Sequence, residues 1–77
     1  MRTADLLELS YLRAMGCSIR PPEWEGRIAY FTVEDPPEIV AAHLNSDEFR
    51  RLTRIVRAWQ LFRVELARER DARLGVR

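Results

Sequence analysis

Residues 45–75, NSDEFRRLTRIVRAWQLFRVELARERDARLG, decide the fold. Asn45-Ser46 ends one helix and caps the next, Asp47 and Glu48 place acids in a new first turn, and no Gly or Pro interrupts the chain until Gly75. Those are the start, body and stop of one long helix, expected over residues 47–74. At 100° per residue Phe49, Leu52, Ile55, Val56, Trp59, Phe62 and Leu66 form one stripe, expected to face the core. Arg50, Arg54, Arg57 and Arg68 lie on the opposite side, and Leu61 and Val64 sit among them.

Working backwards, Asp35-Pro36-Pro37-Glu38 reads as a helix start, with Asp35 as cap, Pro36 at the first helical position and Glu38 completing a capping box. The short helix it opens is expected over residues 36–44. Arg27 to Glu34 alternates as a strand, with Ala29, Phe31 and Val33 on one face and Ile28, Tyr30 and Thr32 on the other. A short extended arm, Cys17 to Arg20, precedes Pro21-Pro22, and Glu23-Trp24-Glu25-Gly26 reads as the turn between them. Residues 17–34 are thus expected as a β-hairpin with Trp24 at its tip. Before it, Thr3 caps a Leu-rich helix over residues 3–15 that Gly16 stops. The expected fold is α+β in the order α-β-β-α-α: one domain over residues 1–77, a hairpin packed by helices, and a long C-terminal helix.

This order of motifs resembles a family of small, uncharacterised prokaryotic domains found in bacterial genomes and their mobile elements. The residues that carry the likeness are Ala14-Met15-Gly16 closing the first helix, the strand Tyr30-Phe31-Thr32-Val33-Glu34-Asp35, and the tail in which Asn45-Ser46 joins two helices. It covers about residues 3–60. Such domains more often carry a second aromatic residue at the Val33 position. The resemblance implies a fold and a genomic setting and brings no catalytic residues.

Composition bounds the rest. Seventy-seven residues make one small domain, 47% hydrophobic and 32% charged, which fits a globular chain. No apolar run approaches a membrane span, and the start lacks the apolar stretch of a secretory signal. The single cysteine, Cys17, excludes an internal disulfide and any multi-cysteine zinc site, so the cytoplasm is expected. Net charge is +1, but residues 1–45 carry four arginines against seven acids and residues 46–77 nine arginines against five acids, balances of −3 and +4. Every basic residue is arginine, for which a GC-rich coding bias is the plain explanation.

No constellation for catalysis stands out. His43 is the only histidine and has no evident nucleophile or orienting group beside it. Cys17 follows a helix stop rather than opening a helix, so it reads as a small buried hydrophobe. Glu23, Glu25, Glu34, Asp35 and Glu38 read as a solvated acidic end rather than a metal site, and single glycines form no phosphate cradle. The expectation is a non-enzymatic protein-interaction module without cofactor or metal, forming a homo-oligomer or docking as an accessory subunit of a larger assembly. Its expected contacts are Leu61, Val64, Arg57 and Arg68, with Trp24 exposed for the same use. The alternative is nucleic-acid binding by an accessory protein of a mobile element or phage, through Arg50, Arg54, Arg57 and Arg68. Interleaved acids at Asp47–Arg51, Glu65–Arg68 and Glu69–Arg73 argue for a self-compensating helix instead.

Overall fold

The computed structural model describes residues 1–75; the last two residues of the expected domain, and the Arg77 charge, lie outside the described residues. The elements are β1 (Arg2–Thr3), α1 (Leu6–Ala14), β2 (Glu23–Glu25), β3 (Ile28–Thr32), α2 (Pro37–Leu44) and α3 (Asp47–Arg73). The α+β class and the expected element order hold, and the short β1 is added in front. The three strands form an antiparallel sheet in the order β1-β3-β2.

The hairpin differs from its expected form in where it turns. Glu23-Trp24-Glu25 is strand, paired as Glu23↔Tyr30, Trp24↔Ala29 and Glu25↔Ile28, and the turn is Gly26–Arg27. Gly26 has φ +61°, which a two-residue loop with glycine first requires. Trp24 is therefore not at the tip but inside β2. The arm over Cys17–Arg20 keeps only the bridge Ile19↔Val33, with Arg20 N donating to the Thr32 carbonyl and Glu34 N to that of Ser18. Between Ile19 and Glu23 lie three residues, facing two on the other side, so Pro21-Pro22 occupy a bulge that their missing N–H groups suit. On the other edge of β3, β1 pairs Arg2↔Thr32 and Thr3↔Phe31, and Val33 N donates to the Met1 carbonyl at 2.7 Å.

Two caps also differ. Asp5, not Thr3, caps α1: its carboxylate accepts from Leu7 N and Glu8 N, while Thr3 belongs to β1. The capping position of α2 is Pro36, without a side-chain bond, because the Asp35 carboxylate accepts instead from Ser18 N at 2.7 Å, tying the sheet arm to the helix start. No capping box forms there. Ser46 caps α3 as its sequence predicts, accepting from Phe49 N.

The core sits between α1, α2 and one face of the sheet: Leu9, Leu12, Cys17, Val33 and Val40 are buried, with Ile19, Phe31 and Leu44 packed against them. Residues 1–46, were they a compact body, would have a radius of gyration of about 9 Å and so span roughly 24 Å. A 27-residue helix is about 40 Å long. The head cannot cover it. Only Phe49, Leu52, Thr53 and Val56 near its start are half-buried, and no residue of α3 is fully buried. The expected core stripe is therefore wrong at Ile55, which is exposed, and everywhere beyond Val56: from Arg57 to Arg73 every side chain is exposed. The chain's radius of gyration is 16.9 Å and its longest extent 53 Å, against about 11.5 Å for a compact chain of this length.

Candidate functional site

The free end of α3 is where the chain departs from a self-sufficient domain. Its root is fixed by one joint. The Tyr11 ring, buried on α1, packs against Phe49 with centroids 4.9 Å apart, and its hydroxyl donates to Glu48 Oε1 at 2.8 Å. The Ser46 hydroxyl stands 3.0 Å from the Tyr11 hydroxyl oxygen and donates to the His43 carbonyl, linking α1, the α2 end and the α3 start. Beyond this joint, good helix formers and the absence of Gly or Pro carry the helix into solvent, until Leu74 and Gly75 (φ +67°) close it.

Two sides of this free segment are apolar. On one, Ile55, Trp59, Phe62 and Leu66 lie exposed; Trp59 keeps 56% and Phe62 64% of its surface in solvent. The Arg63 guanidinium lies over the Trp59 ring, 5.0 Å from its centroid, one helical turn on. On the other, Leu61 (66% exposed) and Val64 (49%) stand among Arg57 and Arg68, about 160° round the helix from Trp59. The expected contacts Leu61, Val64, Arg57 and Arg68 thus share one side of α3, all exposed. Trp24 is also exposed, but it belongs to the sheet, on the face of Ala29.

The four aromatic and aliphatic residues of the first side were missed as surface because a 3.6-residue stripe looks the same whether a core or a partner covers it. The available signal was length: a helix of about 40 Å outruns the body that the preceding residues can build. The chain's accessible surface, 6419 Å², exceeds the about 4,900 Å² of a compact monomer of 9.1 kDa by about 1,500 Å².

The arginines of α3 are less compensated than their spacing suggests. Asp47 pairs with Arg50 at 3.5 Å rather than with Arg51, and the expected Glu65–Arg68 and Glu69–Arg73 contacts are not closed among the described residues. Arg54, Arg57 and Arg68 make no ion pair there. The acids expected at one end are dispersed: Glu25 binds Arg2 at 2.9 Å, Glu34 faces Arg20 at 3.8 Å and Asp35 holds Ser18 N. Among the described residues no group of three or more His, Cys, Asp or Glu side chains is placed to hold a metal. Burial first, and then the Asp35 charge, push the Cys17 thiol up from its ordinary value, which disfavours the thiolate that nucleophilic chemistry needs. His43 is half-buried at the end of α2 and its carbonyl, not its ring, is engaged by Ser46.

Among the described residues no helix is long and apolar enough to cross a membrane. No family model, curated protein or solved structure matches the chain.

Proposed function

We propose that this chain is a non-enzymatic protein-interaction module that self-associates or docks as an accessory subunit of a larger assembly, with the free end of α3 as its docking element. The observation that carries the reading is the exposure of Ile55, Trp59, Phe62 and Leu66 on one side of a helix that projects beyond its own core. A solvated surface seldom carries a Trp and a Phe side by side, whereas interfaces concentrate both. Leu61 and Val64, bordered by Arg57 and Arg68, form a second and smaller patch, and Trp24 a third site of contact. The lone buried thiol suits a reducing cytoplasm, and the resemblance to small prokaryotic domains supplies the setting of bacterial genomes and mobile elements.

The second reading is nucleic-acid binding by an accessory protein of a mobile element or phage, favoured by the unpaired Arg54, Arg57 and Arg68 along one side of α3. Salt separates the two. Sedimentation at low and high ionic strength, with and without a random-sequence DNA duplex, is expected to show association that survives salt and that Trp59→Glu with Phe62→Glu abolishes. Duplex binding that falls steeply with salt, together with association indifferent to that double substitution, overturns the docking reading.

A further inference from the structure

We infer that the occupant of the Trp59–Phe62 side is a second copy of this chain, laid antiparallel along α3; the inference rests on the docking reading and names its partner. Three observations carry it. The first is spacing. Leu52, Ile55, Trp59, Phe62 and Leu66 recur at alternating steps of three and four residues, the seam of a helix that packs along another helix rather than onto a sheet. The head meets α3 at its root, through half-buried Phe49, Leu52, Thr53 and Val56 and the Tyr11 bond to Glu48. The side formed by Ile55, Trp59, Phe62 and Leu66 is centred about 100° round α3 from those four and is exposed, so a second helix can lie there without displacing the head.

The second is charge. Extended by one step back and two steps on, the seam meets Glu48 before Leu52, and Glu69 and Arg73 after Leu66. In a parallel, in-register pair, Glu48, Glu69 and Arg73 would each face its own copy, three like-charge layers. The gain would be an exposed Glu65–Arg70 pair on each flank, worth little in solvent. In the antiparallel pair Trp59 faces Phe62 of the second copy, Ile55 faces Leu66, and Leu52 faces Glu69. Glu48 then faces Arg73 of the second copy. The apolar centre is self-complementary about a two-fold axis between Trp59 and Phe62, and opposite charges close its ends. On the flanks Arg63 falls beside Val56 and Glu65 beside Ala58 of the second copy, so no like charges meet.

The third is area. The surface that each chain carries beyond a compact monomer, about 1,500 Å², is more than the roughly 800 Å² per partner of a standard interface.

The test uses the full chain. Sedimentation equilibrium from about 1 to about 100 µM is expected to give a dimer, with Trp59→Ala raising its Kd at least about 30-fold while the circular dichroism stays helical. Orientation is read by disulfide trapping in a Cys17→Ala background, mixing chains carrying Ile55→Cys with chains carrying Leu66→Cys. The antiparallel pair brings these positions together, and holds like positions about 16 Å apart, so the mixed disulfide is expected to dominate. Dominant homodisulfides mean a parallel pair and overturn the proposal. A monomer throughout the concentration range overturns self-pairing alone; the docking reading falls on its own test, by salt-sensitive duplex binding and indifference to Trp59→Glu with Phe62→Glu.

Discussion

The Tyr11 hydroxyl donates to Glu48 Oε1 at 2.8 Å across the only place where α1 and α3 are joined by a side-chain hydrogen bond among the described residues, over a ring contact with Phe49 at 4.9 Å. Tyr11 is buried while Glu48 is exposed, so a buried donor is satisfied by a charged acceptor at the rim of the core. This joint sets the direction in which α3 leaves the head. Tyr11→Phe keeps the ring and removes the donor, and should cost about 1.5–3 kcal/mol, as for a hydrogen bond to a charged group. Tyr11→Ala, which also loses the Phe49 contact, should cost more, about 3–5 kcal/mol by analogy with other buried aromatics. Urea unfolding of the two variants checks both; equal costs would mean that the hydroxyl contributes nothing to the joint.

Core and projecting helix should respond oppositely to truncation. Leu12 has no exposed surface, and Leu12→Ala should cost about 2–5 kcal/mol at any protein concentration. Trp59→Ala and Phe62→Ala should leave the dilute monomer within about 0.5 kcal/mol of the parent, because each side chain is more than half exposed. The parent's Tm should rise with protein concentration and that of Trp59→Ala should not, since association stabilises only what it binds. Thermal scans over a dilution series measure this, and a large loss for Trp59→Ala at the lowest concentration would place Trp59 inside a core after all.

How much of the fold was legible in the sequence turns on the range over which each residue acts. Asp47 and Gly75, and Ser46 through its bond from Phe49 N, act on their own neighbours, and the limits of α3 are set by them to within a residue. The faces of β3 were also legible: Phe31 and Val33 do meet the core. Asp35 looked like a cap because capping is the local option for its side chain, but a distant donor, Ser18 N, claims it. The Thr3 hydroxyl stays local, accepting from Asp5 N and donating to Glu8 Oε1, while its backbone joins the β3 edge and leaves the cap to Asp5. No short-range pattern announces such competition. Trp24 was read as the hairpin tip instead of the middle of β2 because a proline pair ordinarily ends a strand, whereas here it fills a bulge and pairing resumes beyond it. The docking side was hidden for a different reason. Periodicity tells which residues share a side of a helix, not what covers that side.

Backbone conformation at Gly26 gives a prediction free of packing. Its φ is +61°, and a Cβ added there would meet nothing within 4 Å. The cost of Gly26→Ala is then conformational alone, about 1–2 kcal/mol for a left-handed residue. Loss should appear in the unfolding midpoint with no change in the slope of the transition. A neutral Gly26→Ala would mean that the turn re-forms with another geometry.

The Cys17 thiol makes stability depend on alkaline pH. Burial, reinforced by the Asp35 charge, raises its pKa in the folded chain above that in the unfolded one. Below the ordinary thiol value both states hold the proton and the group adds no slope. Above it the unfolded chain releases its proton first, so stability falls as pH rises, by up to about 1.4 kcal/mol per pH unit, until the folded thiol also ionises. Measured as the difference between the parent and Cys17→Ala, stability should be flat near pH 7 and diverge above about pH 8.5. A difference that is constant through this range would show that the thiol titrates alike in both states.

The two apolar sides of α3 should separate under charge insertion. Leu61 and Val64 are a leucine and a valine among arginines, and single exposed aliphatics are common on solvated helices. Ile55, Trp59, Phe62 and Leu66 are contiguous over three turns and include two aromatics, the residue types that dominate binding energy when desolvated. Leu61→Glu with Val64→Glu should therefore shift the association constant by less than about threefold, and the new acids should even relieve the charge of Arg57 and Arg68. Ile55→Glu with Phe62→Glu should abolish association over the same concentrations, because each dimer would bury four carboxylates without partners. Both proteins should keep the far-ultraviolet circular dichroism of the parent, since neither pair touches the buried core. Sedimentation of the two double variants decides which side is covered. Dissociation by Leu61→Glu with Val64→Glu alone would move the interface to the arginine side, where Arg57 and Arg68 could reach the acidic first half of a partner.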